Sequence, residues 1–427
     1  MESTAVSSLI WIPRGYPASN PKCRAHFSMT DDEIQEYINK MGIDSLLNDD
    51  IRQNRSTPYG SNFFHIIENE LSMSEKDPYI LHDKVLNDSD NEDAIVVRPD
   101  DSLIASTVIE DDTASLQVYL YSIDDGSFYV HHDVLIGGYP LCMDWLYDPM
   151  KCDESKNIVA VGSFESAIKL WDLDSIDSLD PVRILGKIPG ERGNSSGHKG
   201  AVMCLHAHPQ NSTILGSGSA DKTVRVWDIV ENKSIECYKK CKNKVQCIEW
   251  HPKERNILFS ADFDRALHIW DVRSAERDSV LLHYDEQYGE PESMTIPNYS
   301  GSEYIVIIST ENGFIIGFDT RMILNCANKG RIFCSQGSIN NKPITGICTT
   351  NIRNMLVSCD ISGIAKIWNL TDMTNCVAEK QLKNGGLFTC KSCPDESALV
   401  AFGGESVALW NIGQEELIAT TFGFSLE

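Results

Sequence analysis

A repeat constrains this chain more than any other feature. The segment Thr213-Ile-Leu-Gly-Ser-Gly-Ser-Ala-Asp-Lys-Thr-Val-Arg-Val-Trp-Asp228 holds two short alternating runs around an Ala-Asp-Lys turn. It recurs as Asn256-Ile-Leu-Phe-Ser-Ala-Asp-Phe-Asp-Arg-Ala-Leu-His-Ile-Trp-Asp271, with echoes at Ile158 to Asp172, Met355 to Asn369 and Ala398 to Asn411. Aligning the aromatic that ends each second run gives Trp171, Trp227, Trp270, Trp368 and Trp410. The 98-residue gap from Trp270 to Trp368 is twice the others and hides a further unit at Phe318-Asp319. Upstream, Leu116-Gln-Val-Tyr-Leu-Tyr121 places Tyr119 in the same column. Seven units result, spaced 52, 56, 43, 48, 50 and 42 residues apart. A unit of four short strands needs about 40 to 45 residues, so the surplus lies in loops. Such units close radially, which hides most strand edges. The expected fold is all-β: a seven-bladed propeller over residues 94–427, with an acidic extension over 1–93. Each column aromatic is expected between neighbouring sheets, where a smaller residue would leave a cavity.

The pattern resembles the WD-repeat family from about residue 94 to the end. Gly197-His198 opens the third unit, Asp221 holds its turn and Trp227-Asp228 closes its third strand. The resemblance implies a buried hydrogen-bonded network of His198, Ser217, Asp221 and Trp227. Its role is structural, although a Ser, a His and an Asp together look like a catalytic triad. Six residues before the aromatic, only the third and fourth units carry Asp (Asp221, Asp264). The others have Thr113, Glu165, Asn312, Ser362 and Gly404, so their networks are expected to differ.

The extension is a different kind of sequence. Thr30-Asp-Asp-Glu33 is a capping box, and Ile34, Tyr37, Ile38 and Met41 follow at helical spacing, which predicts an amphipathic helix over 31–41 ended by Gly42. From Thr30 to Asp93 there are 16 Asp or Glu against 5 Lys or Arg, so much of this arm is expected to be extended or disordered when free. Ring closure has two readings: Leu417-Ile-Ala-Thr-Thr-Phe422 forms the seventh unit's outer strand, or Tyr79-Ile-Leu-His82 adds to that edge.

Composition sets the partners. With 62 acidic against 37 basic residues the net charge is -25, so direct nucleic-acid binding is expected to be weak or indirect and basic proteins are the fitting partners. Met1 to Trp11 has no signal-peptide pattern, and no run of about 18 apolar residues predicts a membrane span. The 14 cysteines are expected reduced, mostly as small core residues. The pairs Cys237/Cys241 and Cys390/Cys393 lack the partners of a zinc site, and His131 and His132, adjacent in a strand, are expected to face opposite ways. No metal, cofactor or catalytic group is expected. The basic run Tyr238 to Lys244 reads as an outer-strand edge blunted by charge. The Pro- and Gly-rich stretch Asp174 to Gly197 is a long loop between the second and third units.

The non-repeat blocks sharpen the resemblance. Trp11-Ile-Pro-Arg-Gly15 is followed by Asp31-Asp-Glu-Ile-Gln-Glu36, Asp77-Pro-Tyr-Ile80, Val97-Arg-Pro-Asp-Asp-Ser-Leu-Ile104, Ser127-Phe-Tyr-Val-His-His-Asp133 and Tyr139-Pro-Leu-Cys-Met-Asp-Trp145. In this order they resemble the periodic tryptophan protein family of nuclear and nucleolar WD-repeat proteins. The resemblance implies a non-enzymatic scaffold in large-subunit ribosome assembly or rRNA processing, near ribosomal DNA chromatin. Its implied partners are the preribosomal particle and basic proteins, ribosomal proteins or histones, with one copy in a larger assembly. Gly186-Lys-Ile-Pro-Gly-Glu-Arg-Gly-Asn194 stands where relatives carry a lysine-rich run, so no role of that run transfers. Trp11, Pro13, Arg14 and Gly15 become candidate partner-binding residues. Arg273 is another, because Trp270-Asp271-Val272-Arg273 resembles the box by which some propellers dock on cullin-type ubiquitin ligases as substrate receptors.

Overall fold

Period-two runs of Val, Ile, Leu and small residues separated by Asp, Asn and Gly turns can bury both faces of a short strand, and they fold as antiparallel sheets around an axis. A computed structural model describes residues 4–23 and 96–424, apart from 112, 124–125, 150–156, 177, 187–196, 275–278, 300, 326–330 and 339–340. The expected helix over 31–41 and the Tyr79–His82 segment lie outside the described residues.

Seven blades are present. The first combines β1 (Thr4–Ile12), β3 (Ser102–Glu110), β4 (Thr113–Tyr121) and β5 (Phe128–Leu135). The second takes β6 (Pro140–Tyr147), β7 (Asn157–Ser163), β8 (Ile168–Asp172) and β10 (Arg183–Leu185). The short β2 (Lys22–Cys23) pairs in parallel with β9 (Ser175–Ile176) beside it. The third holds β11 (Val202–Ala207), β12 (Ile214–Ser219), β13 (Val224–Asp228) and β14 (Lys233–Tyr238). The fourth holds β15 (Val245–Trp250), β16 (Ile257–Asp262), β17 (Ala266–Asp271) and β18 (Ser279–His283). The fifth holds β19 (Pro291–Thr295), β20 (Ile305–Thr310), β21 (Phe314–Asp319) and β22 (Arg331–Gln336), with α1 (Thr320–Asn325) between its last two strands. The sixth holds β23 (Gly346–Thr349), β24 (Met355–Cys359), β25 (Ile364–Asn369) and β26 (Asp372–Gln381). The seventh has only β27 (Thr389–Ser392), β28 (Leu399–Gly403) and β29 (Val407–Asn411) among the described residues.

Two expectations need correction. The propeller does not begin at residue 94, because β1 lies beside β3 as the innermost strand of the first blade, paired from Thr4↔Glu110 to Ile12↔Leu103. Leu417–Phe422 is not a strand; it belongs to helix α2 (Glu416–Phe422), whose Ile418 is buried beside Trp410 and Ile412. The ring therefore closes at the hub. Val6 N donates to Gly404 O at 2.7 Å, and Val6, Leu9 and Trp11 share a core with Cys393, Leu399, Ala401 and Val407 of the seventh blade.

Neighbouring blades approach closely where the second strand carries glycine. A Cβ on Gly162 would meet Val202 at 2.8 Å, and one on Gly218 would meet Val245 at 2.6 Å. The inner strands supply further ties. Cys142 Sγ donates to Val202 O at 3.5 Å, and Cys204 Sγ to Val245 O at 3.8 Å. These thiols work as small interior donors, and burial pushes the Cys204 thiol well up.

Candidate interaction surfaces

The seven column aromatics all lie on third strands. Trp171, Trp227, Trp270, Phe318, Trp368 and Trp410 are buried, and Tyr119 is partly so. What each indole meets depends on one residue of the second strand, the one paired opposite the position two before the aromatic. It is Ser217 opposite Arg225, Ser260 opposite His268 and Ser358 opposite Lys366. In these blades the indole Nε1 donates to the serine Oγ, at 2.7 Å from Trp227 and 2.9 Å from Trp270 and Trp368. In the second and seventh blades the position holds Val161 and Phe402, and buried Nε1 atoms of Trp171 and Trp410 have no hydrogen-bond partner. An unmet buried N–H costs stability.

The third blade completes the relay. Ser217 Oγ lies 2.7 Å from His198 Nε2, and His198 Nδ1 lies 3.3 Å from both carboxylate oxygens of Asp221. One arrangement of protons satisfies the series: indole N–H to Ser217, Ser217 O–H to His198, His198 Nδ1–H to Asp221. Burial lowers the imidazole's proton affinity despite Asp221, so the ring stays neutral. Burial also works to raise the Asp221 carboxyl. Hydrogen bonds from His198, Thr223 and the Lys199 amide outweigh it and hold the group well below the usual carboxylate range. The network sits in a packed interior with His198 only 3% exposed, where it fixes a turn rather than meeting a substrate.

The fourth blade rebuilds this network from other residues. Cys241 precedes β15 by the same four residues that separate His198 from β11, and the Ser260 hydroxyl tempers the rise that burial gives its thiol. Asp262 and His268 add a buried pair, Oδ2 to Nε2 at 3.2 Å, with His268 Nδ1 3.0 Å from Ser279 Oγ. One ligand atom from each of Cys241, Asp262 and His268 lies within 4.8 Å of the others. The tight spacing reflects this substitution into the network position, and burial pushes the Cys241 thiol up to about 12. Cys237 is only half-buried on β14, and Cys390 and Cys393 both sit in the core. His131 and His132 do not face opposite ways. A bulge opposite Val118/Tyr119 swings both rings to one side, with their Nδ1 atoms 2.7 Å apart.

Around the axis, polar side chains of the inner strands bind the backbone of the next blade. Asp144 accepts from Ala207 N at 2.5 Å, His206 Nδ1 from Trp250 N at 3.3 Å, and Glu249 from Ile296 N at 3.1 Å. Each follows a cysteine by two positions (Cys142, Cys204, Cys247), a sequence signal not read as a ring. Burial pushes Glu249 up to about 8, against the pull of Lys391.

The mouth where the inner strands begin combines two chemistries. Tyr139 (40% exposed), Phe164 (64%), Ile361 (42%) and Phe388 (40%) come from the turns and strand starts of the second, sixth and seventh blades. From the fifth blade, Glu290, Glu292 and Glu311 stand together; burial and then its two acidic neighbours push Glu292 up to about 7. A face that offers exposed apolar groups and, from another blade, crowded carboxylates suits a basic peptide with an apolar anchor.

A family model for the WD domain, G-beta repeat, matches residues 191–228 and 232–271. The periodic tryptophan protein 1 homologue of Drosophila melanogaster is 31% identical over 347 residues, 79% of this chain and 72% of the relative. The chain belongs to the periodic tryptophan protein 1 family. Periodic tryptophan protein 1 of Saccharomyces cerevisiae is 24% identical over 82% of this chain and 70% of its own length. A WD repeat-containing protein of Schizosaccharomyces pombe is 32% identical over 90% of the chain and 75% of its own length.

In this periodic tryptophan protein, Trp11 is only 4% exposed and donates from Nε1 to Lys391 O at 3.0 Å. Arg14 N donates to Asp395 at 2.9 Å, and its guanidinium pairs with Glu396 at 3.1 Å. Gly15, at φ +79°, makes the turn that follows Pro13. This block ties the first blade to the seventh, which removes Trp11 from any partner's reach. Arg273 is open: its side chain is 68% exposed and grips Asp271 with two bonds, at 3.0 and 2.8 Å. The fifth blade repeats the clip with Arg321 and Asp319, a duplication that the sequence reading missed.

Proposed function

We propose that this chain is a non-catalytic scaffold of ribosome biogenesis, acting in the nucleus and nucleolus on the large-subunit precursor and holding basic proteins, ribosomal proteins or histones. The observation that carries the reading is the mouth, where Phe164 and Phe388 stand exposed on the same face as Glu290, Glu292 and Glu311. Family membership supports it. Contact with RNA or ribosomal DNA chromatin is indirect, through those partners, because a net charge of -25 opposes phosphate. Crosslinking mass spectrometry on the tagged chain in preribosomal fractions tests it. Crosslinks from the mouth to large-subunit proteins are expected, and Phe164→Glu with Phe388→Glu removes them while leaving the melting temperature unchanged. A chain that never co-sediments with precursors ends the reading.

A second reading, a substrate receptor of a cullin-type ligase, gains from the exposed Asp271–Arg273 clip and its copy at Asp319–Arg321. It expects Arg273→Ala to lose an adaptor protein. Retention of every partner by that variant removes it.

A further inference from the structure

Among the described residues the seventh blade stops one strand short, and the gap is shaped. Gly404 N bonds Ser406 O and Ile412 N bonds Ala398 O. With Phe402↔Ala408 and Val400↔Trp410 in register, the backbone of Ala408 and Trp410 therefore faces β28. That of Val407, Leu409 and Asn411 faces outward, and no described strand pairs with it. Six other blades carry a fourth strand at this position. Helix α2 does not replace it, since it packs on β26 and the turn after β29.

The side walls of the gap are apolar. Leu409 faces the first blade, where Tyr119, Tyr121 and Phe128 are only partly covered, and Tyr119 stacks on Phe128 at 5.1 Å. The edge lies one strand inside the rim, about 4.8 Å deep. Other outer strands carry charge, as at Lys233 and Glu236 of β14 or Glu379 and Lys380 of β26, which deters strand addition. Val407, Ala408 and Leu409 carry none.

We propose that this slot takes an extended segment of a basic partner as the missing fourth strand, an apolar alternating run flanked by Lys or Arg. Outward N–H and C=O groups on a recessed edge are met by another extended backbone, and the aromatic wall selects alternate apolar side chains. Charge sets the flanks. Exposed Glu405 precedes β29, exposed Glu415 and Glu416 follow it, and Glu110 and Asp111 stand on the neighbouring turn. Lys380 is engaged with the Trp410 ring at 5.2 Å. The same carboxylates repel a second copy of this chain, at -25.

The proposal rests on the reading of the chain as a scaffold for basic proteins, and its test separates the two. On the purified full chain, hydrogen exchange is expected to show the Val407, Leu409 and Asn411 amides unprotected. Adding the peptide Lys-Lys-Val-Thr-Val-Thr-Val-Lys-Lys is expected to protect all three. Its Glu-flanked counterpart is expected to bind at least tenfold more weakly. Leu409→Pro removes one outward donor but no bond to β28, and should weaken binding of the Lys-flanked peptide at least tenfold. Tyr121→Arg repels the basic flanks and gives the same loss should the proline variant not fold. Amides already protected in the free chain mean that its own segment or a second copy fills the slot, which overturns the proposal. So does the absence of peptide protection. Failure of the wild-type chain to join preribosomes leaves these readouts untouched and removes only the scaffold reading.

Discussion

The third and seventh blades carry the same column tryptophan and solve its burial differently. Trp227 ends a relay through Ser217 and His198 to Asp221, so its indole N–H and the side chains behind it are bonded. Trp410 is as deeply buried, yet Phe402 stands where the serine would be, and the ring is held by packing at 6.4 Å from Phe402. The third blade is self-sufficient, with four strands and a closed network. The seventh borrows stability from both sides: β1 and Trp11 from the first blade, and α2 lying on the sixth. A propeller repeat is thus a packing slot first, and its polar network is an option that individual blades take or drop.

The sharpest way to break this comparison is to remove what the seventh blade borrows. Trp11→Ala is expected to destabilise the chain by about 3 to 5 kcal/mol, from the cavity it leaves and the orphaned Lys391 carbonyl. Denaturant titration should show the loss, with faster exchange in β27 and β28. A smaller effect is expected if the seventh blade stands without its neighbour. The next effect is pH-dependent and concerns blades tied at the hub. Glu249 is raised in the folded chain, to about 8, so it binds its proton more tightly folded than unfolded. Stability is full below the ordinary carboxylate value near 4.5 and is lost as pH rises through 8, a loss of up to about 5 kcal/mol. Glu249→Gln should flatten the slope of stability against pH between about 5 and 8, and an unchanged slope would show that this carboxyl is hydrated in the channel.

Within the relay, Ser217→Ala should cost about 1 to 3 kcal/mol, because it strands the indole N–H and the imidazole together. Adding Trp227→Phe should cost less than the two single changes summed, a coupling that a double-mutant cycle reads directly. At the weak end, Trp410→Phe is expected to cost under about 1 kcal/mol beyond the lost ring volume, since no hydrogen bond goes with it. A penalty equal to that of Trp227→Phe would erase the distinction between the blades.

Much of this was legible in the sequence. The aromatic column gave seven blades, because each ring fills a slot of fixed size and leaves a fixed spacing. The Gly197-His198, Asp221 and Trp227 residues were legible for the same reason, as local signals within one unit. Three features were not. β1 pairs with β3 across 89 intervening residues, and nothing in an isolated nine-residue strand tells which sheet it joins. Cys241 was read as a small core residue, but its standing in the place of His198 was not, because a thiol and an imidazole share no sequence signal even where they fill one space. The bulge at His131 broke the rule of alternation, since one extra residue shifts the register without leaving a mark in the composition. Trp11 to Gly15 drew notice as an unusual block, but its partners Lys391, Asp395 and Glu396 come from the far end of the chain.

That distance has a consequence in time. β1 leaves the ribosome first among these strands, while the surfaces it must seal, β27 and β28, emerge some 390 residues later. At about 5 to 20 residues per second, synthesis leaves that strand waiting roughly 20 to 80 seconds. Throughout that interval Val6, Leu9 and Trp11 have no seventh blade to cover them. The contact that closes the ring therefore joins an early strand to late ones, and a product truncated before β27 cannot make it.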